Sequence, residues 1–164
     1  MKIARSFFRR LLDEGEPIES VHQLQALWAP RAGGSIEQQR LGLSTIEFAV
    51  HLVLLYLGDV GNGGHLQFLL NPGGAHANEI LASLKRTGLT VQASILTQVC
   101  AAFPKGLVPE NERERRRLIS ALSESTLAQW DELDQRLYAQ ADTWSSLRTY
   151  LRANETEVLA PELE

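Results

Sequence analysis

A single cysteine, Cys100, stands in a chain of 164 residues. That scarcity excludes an intramolecular disulfide framework and any zinc site built mainly of cysteine, and it fits a reducing compartment, so the cytoplasm is the expected location. Charge of one sign is also in short supply. The net charge of −4 does not suit a protein that grips nucleic acid through a general positive field, and direct nucleic-acid binding is not expected. Long apolar runs are missing as well. The longest lies around residues 46–57, where Glu47 and His51 interrupt it well short of the ~20 residues that span a bilayer. Residues 1–12 lack the uninterrupted apolar stretch and small-residue cleavage site of a secretory signal. No membrane partner is expected.

What is present suits a globular chain, with 44% hydrophobic and 22% charged residues. Apolar residues recur at intervals of three and four, and sustained period-two alternation is absent, so the expected class is all-α: a single-domain helical bundle of about seven to nine helices. The first helix is expected over residues 3–12, stopping at Asp13-Glu14-Gly15-Glu16-Pro17, and the second over 20–28, ending before Pro30. Ser35 and Ser44 each open a capping pattern. A central helix carries Ile46, Val50, Val53 and Leu54 and is expected to end across 58–64, where glycines accumulate, before a brief helix over 65–70. Later helices are expected over 77–86, over 91–103 with Thr90 as cap, over 112–122 with Asn111 as cap, from Ser125 or Thr126, and after Asp142. Ile95, Leu96, Leu118, Leu122, Trp130 and Leu137 join the same expected core.

Catalytic chemistry finds little support. Glu47 and His51 lie four apart on one helix and could present two ligands to one ion, yet no HExxH arrangement accompanies them and no third ligand follows from local spacing. They are weak metal candidates, and no cofactor is expected. Gly61-Asn62-Gly63-Gly64 lacks the rest of a phosphate-binding loop and follows a helix rather than a strand. Cys100 sits among Val99, Ala101 and Ala102, where burial keeps a thiol protonated. The run from Glu112 to Arg117 pairs acid and base at helical spacing and has no aromatics beside it for base stacking. Residues 124–164 hold nine acidic and three basic residues, so the C-terminal part is the acidic one.

The stretch Val60-Gly61-Asn62-Gly63-Gly64-His65-Leu66-Gln67-Phe68-Leu69-Leu70-Asn71 resembles the signature of a family of small bacterial proteins typified by a DNA-mimic protein. His65 stands where that family usually has an aromatic. Leu133-Asp134-x-x-Leu137-Tyr138 and Tyr150-Leu151-x-x-Asn154 are similar to later family motifs. The resemblance covers residues 44–154, leaving 1–43 as N-terminal helices outside it and 155–164 as an acidic tail. It implies an all-helical protein that binds a protein partner, with a DNA-binding protein as the finer expectation, and it allows a homodimer. Asn62, Gly63, Gly64, Gln67, Phe68 and Asn71 are expected to be structural, the amides satisfying backbone groups of the glycine turn. Asp131, Glu132, Asp134, Asp142, Glu155 and Glu157 are the partner-binding candidates, expected on a solvated acidic surface. The alternative is a small-molecule- or metal-binding helical protein, an enzyme in its strongest form, centred on Glu47, His51, Asn62, His65 and Gln67. A non-enzymatic interaction module is preferred.

Overall fold

The computed structural model describes residues 5–158, and among these there are nine α-helices, two short 3-10 turns and no strand. The all-α class and the number of helices are as expected. The helices are α1 (Arg5–Glu14), α2 (Pro17–Ala32), α3 (Ile36–Gly42), α4 (Thr45–Leu70), α5 (Ala77–Arg86), α6 (Thr90–Cys100), α7 (Glu112–Ser120), α8 (Glu124–Tyr138) and α9 (Thr143–Ala153). They gather into two compact units. One combines Met1–His51 with Asp142–Glu164, and the other is Leu52–Ala141. We call them the terminal and the central unit.

In the terminal unit α2 packs against α9, α3 and α1. Its interior is apolar and dense, with Phe8, Val21, Leu24, Trp28, Leu147 and Leu151 fully buried. Pro17 occupies the first turn of α2, where a missing N–H costs nothing, so the helix begins three residues before Ser20. Ser35 caps α3 through a reciprocal pair of bonds with Gln38. Ser44 does the same for α4: its hydroxyl accepts the Glu47 N–H, and the Glu47 carboxylate accepts the Ser44 N–H.

The central unit places α6 between α5 and α8. Val53, Ile80, Leu84, Ile95, Leu96 and Val99 are fully buried there. Leu118 and Leu122 are only half-buried, because the inward position on α7 next to Ile119 is taken by Arg115. Ser123, not Ser125 or Thr126, caps α8 by accepting the Thr126 N–H. Asn111 caps α7 as expected, while Thr90 is already helical and Asp142 makes no side-chain cap bond.

The largest departure from the expected boundaries is in α4. The helix does not end at Gly58; it runs through Gly58 and Gly61, and helical geometry fails only at Gly63 and Gly64. An isolated glycine costs a helix only about 1 kcal/mol, which the burial of Val53, Leu54 and Tyr56 readily outweighs.

Candidate functional site

The break in α4 is the feature around which the central unit's polar residues converge. Gly63 has φ −171°, extended backbone open to any residue, whereas Gly64 has φ +74°. The conformational demand therefore falls on Gly64 rather than on Gly63. Space makes the same demand, since a Cβ built on Gly64 would overlap Oδ2 of Asp134. Only a glycine brings the backbone this close to the carboxylate.

Past the turn the chain drives His65 into the interior, where it has no exposed surface. Asp134 accepts twice from this one residue: its Oδ1 takes the His65 backbone N–H at 3.0 Å and also bonds Nδ1. With Nδ1 holding a hydrogen toward the carboxylate, Nε2 is free to accept, and the Tyr56 hydroxyl donates to it at 2.7 Å. Burial pushes the His65 imidazole below its ordinary pKa of 6.5, against the pull of Asp134. Burial, reinforced by the nearby carboxylate, pushes the Tyr56 hydroxyl well above 10.0. The result is a continuous chain of donors and acceptors, Tyr56 to His65 to Asp134.

Tyr138 completes the clamp. It stands four residues after Asp134 on α8, so both side chains leave the same face of that helix. Its hydroxyl donates to the Val60 carbonyl at 2.8 Å. One face of α8 thus holds both sides of the glycine break.

The far end of α4 is held by a second helix. The last carbonyls of any helix lack partners within it, and here two consecutive arginines of α7 supply them. Nε of Arg115 donates to the Leu69 carbonyl at 2.7 Å, and Nη2 of Arg116 to that of Leu70 at 3.0 Å. Nη1 of Arg115 also reaches the carbonyls of Pro109 and Glu110, each at 2.9 Å. Arg116 is paired in addition with Glu112, the expected i,i+4 pair. Asn71 donates its amide to Asp59 at 3.2 Å, tying the segment after α4 back to the helix.

These contacts revise several expected roles. Asp134 is buried, not solvated, because it faces the same side of α8 as Trp130 and Leu137. Gln67 and Asn62 are exposed, so Gln67 does not satisfy buried backbone groups, whereas Phe68 is fully buried beside Tyr56. Glu155 is held by Arg9 and Arg152 on the surface of the terminal unit. Asp131, Glu132, Asp142 and Glu157 are exposed. Glu132 lines a shallow groove of about 290 Å³ between α6 and α8, along with Gln98, Gln129 and Arg136.

The residues expected for a metal or small-molecule centre are divided. Glu47 and His51 belong to the terminal unit, and Asn62, His65 and Gln67 to the central one. Glu47 is fully buried and committed to Arg31, at 2.6 Å, and to the Ser44 cap. Among the described residues no group of three or more His, Cys, Asp or Glu side chains could hold a metal ion. Cys100 is buried, and burial pushes its thiol up to about 11. The Tyr56–His65–Asp134 order matches that of catalytic arrays, yet neither Tyr56 nor His65 has any exposed surface, so a substrate cannot touch either of them in the folded state.

The family model of DMP19-like proteins matches residues 42–154. The chain belongs to the DMP19-like family. The matched span holds the glycine turn, Arg115 and Arg116 of α7 and the Asp134–Tyr138 pair, so the family's extent takes in the whole clamp. No curated protein and no solved structure matches the chain. Among the described residues no helix is long and apolar enough to cross a membrane.

Proposed function

We propose that this DMP19-like protein is a non-enzymatic interaction module that docks a basic protein surface, that of a DNA-binding protein, through exposed carboxylates. The observation that carries the reading is the family match over residues 42–154. Asp131 and Glu132 are the central unit's candidate contacts. Both are exposed on α8 without an ion-pair partner among the described residues, and Glu132 borders the α6–α8 groove.

The mimicry is local rather than spread over the surface. Duplex DNA presents one charge per ~1.7 Å of axis, while residues 52–141 hold nine acidic and eight basic residues. Asp134 is withdrawn into the interior and Glu155 is neutralised by arginines. What remains is a small acidic patch that competes for part of a DNA-binding surface.

The test is fluorescence anisotropy of a labelled duplex bound to a bacterial histone-like protein, titrated with this chain. Displacement of the duplex that weakens as salt rises is the expected outcome. The double variant Asp131→Asn, Glu132→Gln should lose displacement while its helical spectrum stays unchanged. Failure to displace at low salt, or displacement that survives the double variant, overturns the reading.

A further inference from the structure

We propose that the Tyr56–His65–Asp134 array is an acid-sensitive latch: a proton gained by His65 removes the acceptor at Nε2, strands the Tyr56 hydroxyl hydrogen, and loosens the grip of α8 on the glycine turn. The inference concerns the interior of the central unit and does not depend on what the exposed carboxylates bind.

The geometry leaves the array one satisfied arrangement among the described residues. Nδ1 is turned to Asp134 and Nε2 to Tyr56, both within hydrogen-bonding reach. A neutral imidazole with its hydrogen on Nδ1 satisfies every group: the carboxylate accepts, the ring donates and accepts, the hydroxyl donates. A protonated ring has two donors. Its Nε2–H would then point at the Tyr56 oxygen, and the hydroxyl hydrogen would have to turn toward apolar neighbours such as Phe68. A buried donor without a partner is destabilising. Asp134 works the other way by attracting the imidazolium, but its Oδ1 is already shared with the His65 backbone N–H.

The other titratable groups around the array keep their protons through the range in question. Tyr56 comes from α4, Cys100 from α6 and Tyr138 from α8. Burial raises the tyrosine hydroxyls and pushes the Cys100 thiol up to about 11. Between pH 7 and 5 the group that titrates is His65. The sign follows from the lowered affinity of buried His65 for a proton. Stability is fully present above the ordinary imidazole pKa of 6.5 and is lost as pH falls below it toward the folded-state value.

What distinguishes a latch from a general acid effect is location. Asp134 and Tyr138 hold the turn from one helix face, so the first backbone groups to open should be the amides at Gly64 and His65. His51 is also shifted down by burial, but it belongs to the terminal unit and serves as the control.

The test is hydrogen exchange resolved by residue on the full chain from pH 7.5 to 5, corrected for intrinsic rates. The expected result is that protection of the His65 amide falls as pH drops, by up to about tenfold per pH unit, the limit for one proton. The Leu96 amide in α6 should fall less. His65→Phe should abolish the fall, and His51→Gln should leave it unchanged. An NMR titration of the His65 ring in the unaltered chain keeps the test open should His65→Phe fail to fold, with a midpoint below 6.5 expected. A midpoint at or above 6.5, an equal fall at Leu96, or a fall that persists in His65→Phe overturns the latch.

Discussion

The two units use charge in opposite ways. In the central unit, ionisable side chains go inward to hold backbone. Arg115 is 1% exposed and serves three carbonyls, while Asp134 is 8% exposed and serves both N–H groups of His65. In the terminal unit most ionic contacts lie on the surface. Arg9 and Arg152 share Glu155, and Arg152 also meets Asp13, joining α1 to the region of α9. Such pairs are screened by water and salt and contribute little. Buried groups are different, because removing one partner leaves the other stranded without water. The central unit thus depends on a few polar residues, and the terminal unit on apolar packing around Trp28 and Leu147.

That contrast is sharpest at Asp134. Asp134→Ala should destabilise by about 3–5 kcal/mol, since it strands two N–H donors of a fully buried residue, measured by urea denaturation. A loss below about 1 kcal/mol would show that the clamp is incidental. Next come the glycines of α4. Gly64→Ala should cost about 2–3 kcal/mol from its left-handed backbone and the overlap with Asp134. Gly58→Ala, where nothing lies within 4 Å of the added carbon, should stabilise by about 0.5–1 kcal/mol. If both substitutions behaved alike, the break would not be located at Gly64.

In the terminal unit the exception is Glu47, buried and doubly engaged. Glu47→Ala should cost about 2 kcal/mol, from the lost cap at Ser44 and the lost ion pair with Arg31. Its size relative to Asp134→Ala measures how far the units differ. The smallest effect belongs to the surface. At Arg9 and Glu155 the mutual hydrogen bond and attraction raise the arginine pKa and lower that of the carboxylate, outweighing the opposing effect of burial. Glu155→Gln should leave the melting temperature nearly unchanged and insensitive to added salt, and a marked loss would show that the terminal unit relies on charge after all.

Several elements were legible because their signals are local. The capping residues Ser35, Ser44 and Asn111 need only neighbours three positions away. Gly88, with φ +78°, ends α5 as its place after a basic last turn suggests. The end of the central helix is not legible in the sequence because the glycines from Gly58 to Gly64 suggest a break, whereas packing of Tyr56 and Val60 carries α4 past Gly58. Asp134 and Arg115 left a trace that charge concealed. Asp134 falls within the apolar stripe of Trp130 and Leu137, and Arg115 lies one turn before Ile119, so helical spacing pointed both inward.

By itself, the sequence determined the helical class, most helix starts, the buried inert cysteine and the match to the DMP19-like family over residues 42–154. These depend on residues within one or two turns of each other, or on a recognisable string. Only the tertiary structure decided which charges are available. Asp134 lies 69 residues beyond His65 and Arg115 lies 46 beyond Leu69, separations that no local pattern can bridge. A carboxylate's role is set by what faces it: Asp131 meets water and Asp134, three residues on, meets the His65 imidazole and the back of Gly64.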